Sequence, residues 1–112
     1  MPATAKICGL STPEAVAAAV GGGASHVGFM FFPKSPRNIA PEAAGRLAPP
    51  ARAKGVKIVA VVVDPNDAEV DAIVAGLAPD LIQLHGKEAP ARVREIAQRS
   101  GRGLIKVVPV SE

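Results

Sequence analysis

The chain has 112 residues, 48% hydrophobic and 21% charged, the balance of a soluble globular domain able to bury one core. Its net charge of +3 comes from Lys and Arg scattered among acidic residues, and with no Trp, no Tyr and three Phe it lacks the basic stripe and stacking platforms of a nucleic-acid binder. No apolar run approaches the roughly 20 residues of a membrane span, and no basic segment leads into an apolar one at the N-terminus, so a cytoplasmic protein without membrane or nucleic-acid partners is expected.

Short β-branched runs alternate with longer Ala-rich stretches of helical spacing. The first strand is expected over residues 4–8, where Lys6 and Cys8 leave one face and Ile7 the other. Ser11 or Thr12 then caps a helix with Pro13 and Glu14 in its first turn, which stops at the glycines 21–23. A second strand over 26–32 runs into a loop, Pro33-Lys34-Ser35-Pro36-Arg37-Asn38. A second helix around 41–52 begins at Pro41 and Glu42 behind Ala40, a poor cap, and Pro49-Pro50 must stop it early or kink it. The third strand spans 56–63, and the third helix starts at Asn66 with Glu69 three residues on, ending near Gly76 ahead of Pro79. A fourth strand over 80–84 precedes a helix around 89–100, with Val93, Ile96 and Ala97 on one face and Arg92, Arg94, Glu95 and Arg99 on the rest. A fifth strand covers 103–108.

No linker or charge block divides the chain, so residues 1–112 are expected to form a single α/β domain of (βα)4β type. Periodicity accepts two architectures: an open doubly wound sheet of flavodoxin type, ordered 2-1-3-4-5, or half of an eight-stranded barrel, ordered 1-2-3-4-5. In both, chemistry gathers at the C-terminal ends of the parallel strands.

Four residues there stand out. Cys8 is the sole cysteine, which excludes an intramolecular disulfide and a cysteine-rich zinc site. It is either a small buried group or a thiol whose ionised form a nearby Lys6 ammonium would stabilise, with Gly9 giving a ligand access to the backbone. Arg37 sits in a loop stiffened by two prolines and is either a solvated basic residue or a bidentate clamp for a carboxylate or phosphate. Gln83 and His85 share one face at the end of the fourth strand, as site groups or as a core histidine with a satisfied partner. Cys8, His26 and His85 share no metal-ligand spacing, and Asp64 reads as ordinary turn and helix-start chemistry.

The segments KICG at 6–9, GFMFFPKSPRNI at 28–39, VVVDP at 61–65, DLIQLHG at 80–86 and IKVVPVS at 105–111 resemble, in order and spacing, phosphoribosylanthranilate isomerase. The resemblance implies a TIM (βα)8 barrel of tryptophan biosynthesis. Such an enzyme converts N-(5-phosphoribosyl)anthranilate to the corresponding deoxyribulose phosphate by an Amadori rearrangement, without a cofactor. It makes Cys8 the general base, Arg37 the holder of the anthranilate carboxylate, and Gln83 and His85 part of the substrate lining. The family's general acid, an aspartate just after the fifth strand, and its phosphate cradle after the seventh and eighth strands fall beyond Glu112. A complete barrel takes roughly 200 residues or more, so this chain is expected to be the N-terminal half and inactive alone. Two departures are Lys87, where an acidic residue is usual, and Asn38, where an aromatic is common. The competing expectation is a non-catalytic half-barrel module: open edges on strands one and five would favour self-association or pairing with a complementary half.

Overall fold

In the structure, a computed structural model that describes residues 6–107, the β-branched runs and capped Ala-rich stretches fold into alternating strands and helices. In chain order these are β1 (Lys6–Ile7), α1 (Pro13–Gly21), β2 (His26–Phe31), α2 (Pro41–Leu47), α3 (Pro49–Ala53), β3 (Lys57–Val62), α4 (Asp67–Gly76), β4 (Leu81–Leu84), α5 (Pro90–Ser100) and β5 (Gly103–Lys106). Residues 4, 5 and 108, expected in the outer strands, lie outside the described residues.

Local chemistry sets the helix boundaries. Thr12 Oγ1 accepts the Ala15 N–H at 3.1 Å and starts α1. At α4 a full capping box forms, Asn66 Oδ1 accepting from Glu69 N at 2.8 Å while Glu69 Oε1 accepts from Asn66 N at 2.9 Å. The helix expected over 41–52 is two helices. Pro49 and Pro50 have no N–H to continue the ladder, so α2 ends at Leu47 and α3 starts at Pro49 across Ala48.

The strands are shorter than expected at their ends. Cys8, Phe32, Val56, Val63, Asp80 and Val107 flank the ladder rather than belonging to it. At Asp80 the cause is visible: its carboxylate accepts the Ile58 N–H at 2.7 Å while its own N–H donates to Ile58 O at 2.8 Å, a side-chain substitute for strand pairing.

All five strands are parallel and ordered β1-β2-β3-β4-β5, the barrel-half order, which excludes the open flavodoxin arrangement. Register then assigns the faces. Val27, Phe29, Ile58, Ala60, Val62, Ile82 and Leu84 pack on the helices with Val16, Ala44, Ala51, Val70, Ile73 and Ile96, forming the core. Side chains one residue out of phase, among them Gly28, Met30, Val59, Val61, Gln83 and Ile105, occupy the opposite face. In a closed barrel that second face is the interior. Ile7, on the β1 edge, is the one large hydrophobic among the described residues left exposed, at 42%. No described helix is long and apolar enough to cross a membrane.

Candidate active site

The sequence candidates fall at the C-terminal ends of the strands, in two clusters separated by β3.

The first cluster is made by what two glycines leave out. Cys8 follows β1, half-buried, and the next residue, Gly9, donates its N–H to Gly28 O on β2 at 3.0 Å. A Cβ on Gly28 would stand 2.9 Å from Cys8 Sγ, so the thiol lies directly over that glycine. Gly9 has φ +78°, and a Cβ there would come within 2.7 Å of Arg37 Cδ and 3.1 Å of Arg37 Nη1. The Arg37 side chain therefore lies across the backbone next to Cys8.

The loop that delivers Arg37 is held by its own turns. Ser35 N donates to Phe32 O at 2.9 Å, Asn38 N to Ser35 O at 3.1 Å and Arg37 N to Ser35 Oγ at 3.1 Å, after which Ile39 N rejoins Met30 O at 3.0 Å. With the backbone so fixed, the Arg37 guanidinium makes no ion pair among the described residues. The Lys6 ammonium expected beside Cys8 enters no ion pair among them either. It is Arg37 that the fold lays against the Cys8–Gly9 segment.

The second cluster is Gln83 and His85. Their side chains meet through Gln83 Nε2 and His85 Nε2 at 2.5 Å, which with the amide donating leaves the imidazole proton on Nδ1. Gln83 is only 5% exposed, and its Oε1 has no hydrogen-bond partner among the described residues. A buried amide oxygen without a donor is an open valence on the interior face.

Behind this cluster lie Glu88 and Lys106, which sequence reasoning passed over, and Asp64, which it read as ordinary turn chemistry. The Glu88 side chain, 1% exposed, accepts through Oε2 from Asp64 N at 2.7 Å and Gly86 N at 3.2 Å, and through Oε1 from Lys106 Nζ at 2.6 Å. Lys106 also donates to Gly86 O at 2.6 Å, and Asp64 Oδ1 accepts from Lys87 N at 3.0 Å. Burial alone would raise the Glu88 carboxyl's pKa, but the Lys106 hydrogen bond and charge and the Asp64 N–H outweigh it and leave the pKa below its ordinary value. In the sequence, Glu88 is an acid before a helix and Lys106 a residue in a strand; only the β4–β5 register brings them together.

A largely apolar cleft of about 230 Å³ between the 33–41 segment and α4, lined by Phe31, Ile39, Val62 and Ile73 among others, contains none of the four candidates. It lies on the helix side of the sheet. Among the described residues no group of three His, Cys, Asp or Glu side chains could hold a metal ion.

Residues 5–112 match the family described as N-(5'-phosphoribosyl)anthranilate (PRA) isomerase. The chain is 63% identical over 107 residues to the N-(5'-phosphoribosyl)anthranilate isomerase of Caulobacter vibrioides, covering 96% of this chain and 49% of that protein. It is 57% identical over 113 residues to the Rhizobium meliloti enzyme of the same name, covering 100% of this chain and 52% of that one. The fold superposes with TM-score 0.86 on a phosphoribosyl anthranilate isomerase crystallised with reduced 1-(o-carboxyphenylamino)-1-deoxyribulose 5-phosphate, at 36% identity over 98% of this chain and 55% of that one. The isomerase of Thermotoga maritima gives the same TM-score and identity, over 98% of this chain and 52% of that one. The chain spans about half the length of the curated relatives it matches.

Proposed function

This chain belongs to the phosphoribosylanthranilate isomerase family, and from that premise we propose that it supplies the N-terminal half of an isomerase barrel, with Cys8 as the general base of the Amadori rearrangement. The observation that carries the reading is the seating of Cys8 Sγ over Gly28 with Arg37 laid across Gly9 beside it, at the C-terminal rim of the sheet.

Ring opening of N-(5-phosphoribosyl)anthranilate gives a Schiff base whose C2' proton is acidified by the conjugated C=N bond. The Cys8 thiolate takes that proton, the C–H electron pair forms the C1'–C2' double bond, and the C=N electrons return to nitrogen. The resulting enolamine tautomerises to the ketone. Arg37, in no ion pair among the described residues, is placed to hold the anthranilate carboxylate in two parallel hydrogen bonds. Gln83 and His85 line the far side, and Gln83 Oε1, without a partner among the described residues, accepts a donor from the substrate or from the complementary half. The general acid and phosphate cradle belong to that half, a small phosphorylated molecule is the substrate, and no cofactor takes part.

Turnover of phosphoribosylanthranilate, followed by loss of its anthranilate fluorescence, tests this in the full encoded chain. Cys8→Ala is expected to lower kcat by roughly 10²- to 10⁴-fold, the range for a lost acid–base group. Activity indifferent to that substitution would sink the assignment of the base.

The exposed Ile7 and the open outer edges of β1 and β5 support one further point. Residues 1–112 expressed alone are expected to be inactive and to self-associate, because no strand or helix among the described residues covers the interior face or the outer edges of β1 and β5. A monomer with cooperative unfolding, seen by sedimentation and thermal melting, would contradict this.

A further inference from the structure

The carboxylate of Glu88 accepts three hydrogen bonds, none of them from the four site candidates, and is nearly inaccessible. Its partners come from three successive strand ends: Asp64 after β3, Gly86 after β4 and Lys106 closing β5. Lys106 is in register with Leu84, so the ion pair stands on the helix side of the sheet. Gln83 and His85 stand on the other.

What the pair grips is a single residue. Glu88 takes the N–H of Gly86 and Lys106 takes its carbonyl oxygen, so both peptide groups flanking Gly86 are fixed immediately after His85. On the opposite side, the backbone N–H of His85 donates to Val62 O at 2.9 Å. Asp64, held at φ +43°, closes over Gly86 and takes the Lys87 N–H. The imidazole of His85 thus projects from a backbone that is tied before and behind.

We propose that Glu88, with Lys106, is a positioning residue that fixes His85 and through it Gln83 in the substrate site by clamping Gly86 from behind the sheet. This rests on the reading of Gln83 and His85 as site residues. A buried carboxylate whose other hydrogen bonds come from backbone N–H groups, paired with a partly exposed ammonium, is a rigid support, since loosening Lys106 leaves Glu88 desolvated and unpaired. Displacement of a substrate-positioning group by about 1 Å can cost on the order of a hundredfold in rate.

The test uses the full encoded chain as wild type, Glu88→Gln, Lys106→Met and the double variant, with two readouts. The first is kcat/KM for isomerisation, split into kcat and KM. The second is the ring C–H NMR signals of His85 and of His26, which stands at the opposite end of the sheet and serves as internal control. Both single variants are expected to lower kcat/KM about tenfold or more. They are also expected to shift or broaden the His85 signals while those of His26 stay in place. The double variant should be no worse than the poorer single, because the pair acts as one unit.

A folded Glu88→Gln protein with unmoved His85 signals overturns the proposal, and so does turnover within twofold of wild type. Equal movement of both histidines means a general structural role and also overturns it. If Glu88→Gln does not fold, Lys106→Met carries the same test, since it leaves the two backbone bonds of Glu88 in place. If the wild-type chain turns over no phosphoribosylanthranilate, the isomerase reading fails separately and the clamp is judged on the His85 signals alone.

Discussion

The rim of the sheet is built in two different ways at its two ends. Around β1 and β2 the structure works by omission: glycines at 9 and 28 clear space for the Cys8 thiol and the Arg37 side chain, and Arg37 makes no ion pair among the described residues. Around β3, β4 and β5 it works by saturation, with Asp64, Gly86, Lys87, Glu88 and Lys106 satisfying one another. Groups left uncommitted are available to a ligand; groups that consume each other's hydrogen bonds serve as frame. The difference separates candidates for chemistry from candidates for support, although both sets are charged and both sit at strand ends.

Four substitutions or titrations would break or sharpen that contrast. The largest effect belongs to Gly28→Ala, whose Cβ would meet Cys8 Sγ at 2.9 Å and the Cys8 Cα at 3.4 Å. Turnover of the full encoded chain should fall by on the order of a hundredfold, as the thiol is pushed from its seat. Wild-type rates in the alanine variant would mean that the close fit is incidental.

Gly86→Ala comes next. Its Cβ would lie 2.5 Å from Asp64 Oδ2, 2.6 Å from Cγ and 2.7 Å from the Asp64 backbone nitrogen, an overlap that side-chain rotation alone cannot relieve. A loss of about 1–3 kcal/mol, the usual penalty of overpacking, should appear in denaturant unfolding. A variant as stable as wild type would show the Asp64–Gly86 contact to be slack.

The third is a matter of pH. The folded-state pKa of Glu88 is depressed, so its contribution to stability is fully present above the unfolded value of 4.5 and is lost as pH falls through the lower folded value. Thermal midpoints measured from pH 6 downward should therefore drop through and below pH 4.5, and Glu88→Gln should flatten that drop. Parallel curves for the two proteins would place the acid sensitivity elsewhere.

The smallest effect is expected on the outer helix surface. Arg99 pairs with Asp71 at 2.7 Å and Asp67 at 3.5 Å, holding α5 to α4 across a half-exposed surface. Solvent and salt screen such pairs, so Arg99→Ala should barely move the thermal midpoint and leave turnover unchanged. A change as large as that of Gly86→Ala would mark this network as part of the frame.

The sequence determined the alternation of strands and helices, because apolar period and turn residues are local signals. It determined the cap at Asn66, narrowed the first cap to Ser11 or Thr12, of which the structure uses Thr12, and marked Pro49-Pro50 as a stop or a kink, for the same reason: a hydroxyl, a carboxamide or a missing N–H acts within a few residues of itself. The placement of the four candidates at or just beyond strand ends was legible too, since strand position is read in one dimension. Periodicity alone left strand order open, because the same (βα)4β pattern serves an open sheet and a barrel half; the motif resemblance pointed to the barrel order, and the parallel neighbours β1-β2-β3-β4-β5 bear it out. The approach of Arg37 to the Cys8–Gly9 segment was not legible either, nor the pairing of Glu88 with Lys106 across 18 residues. Those contacts depend on register and on how loops fold back over strand ends, and a hydrogen bond between groups distant in sequence exists only once the sheet has set the distance between them.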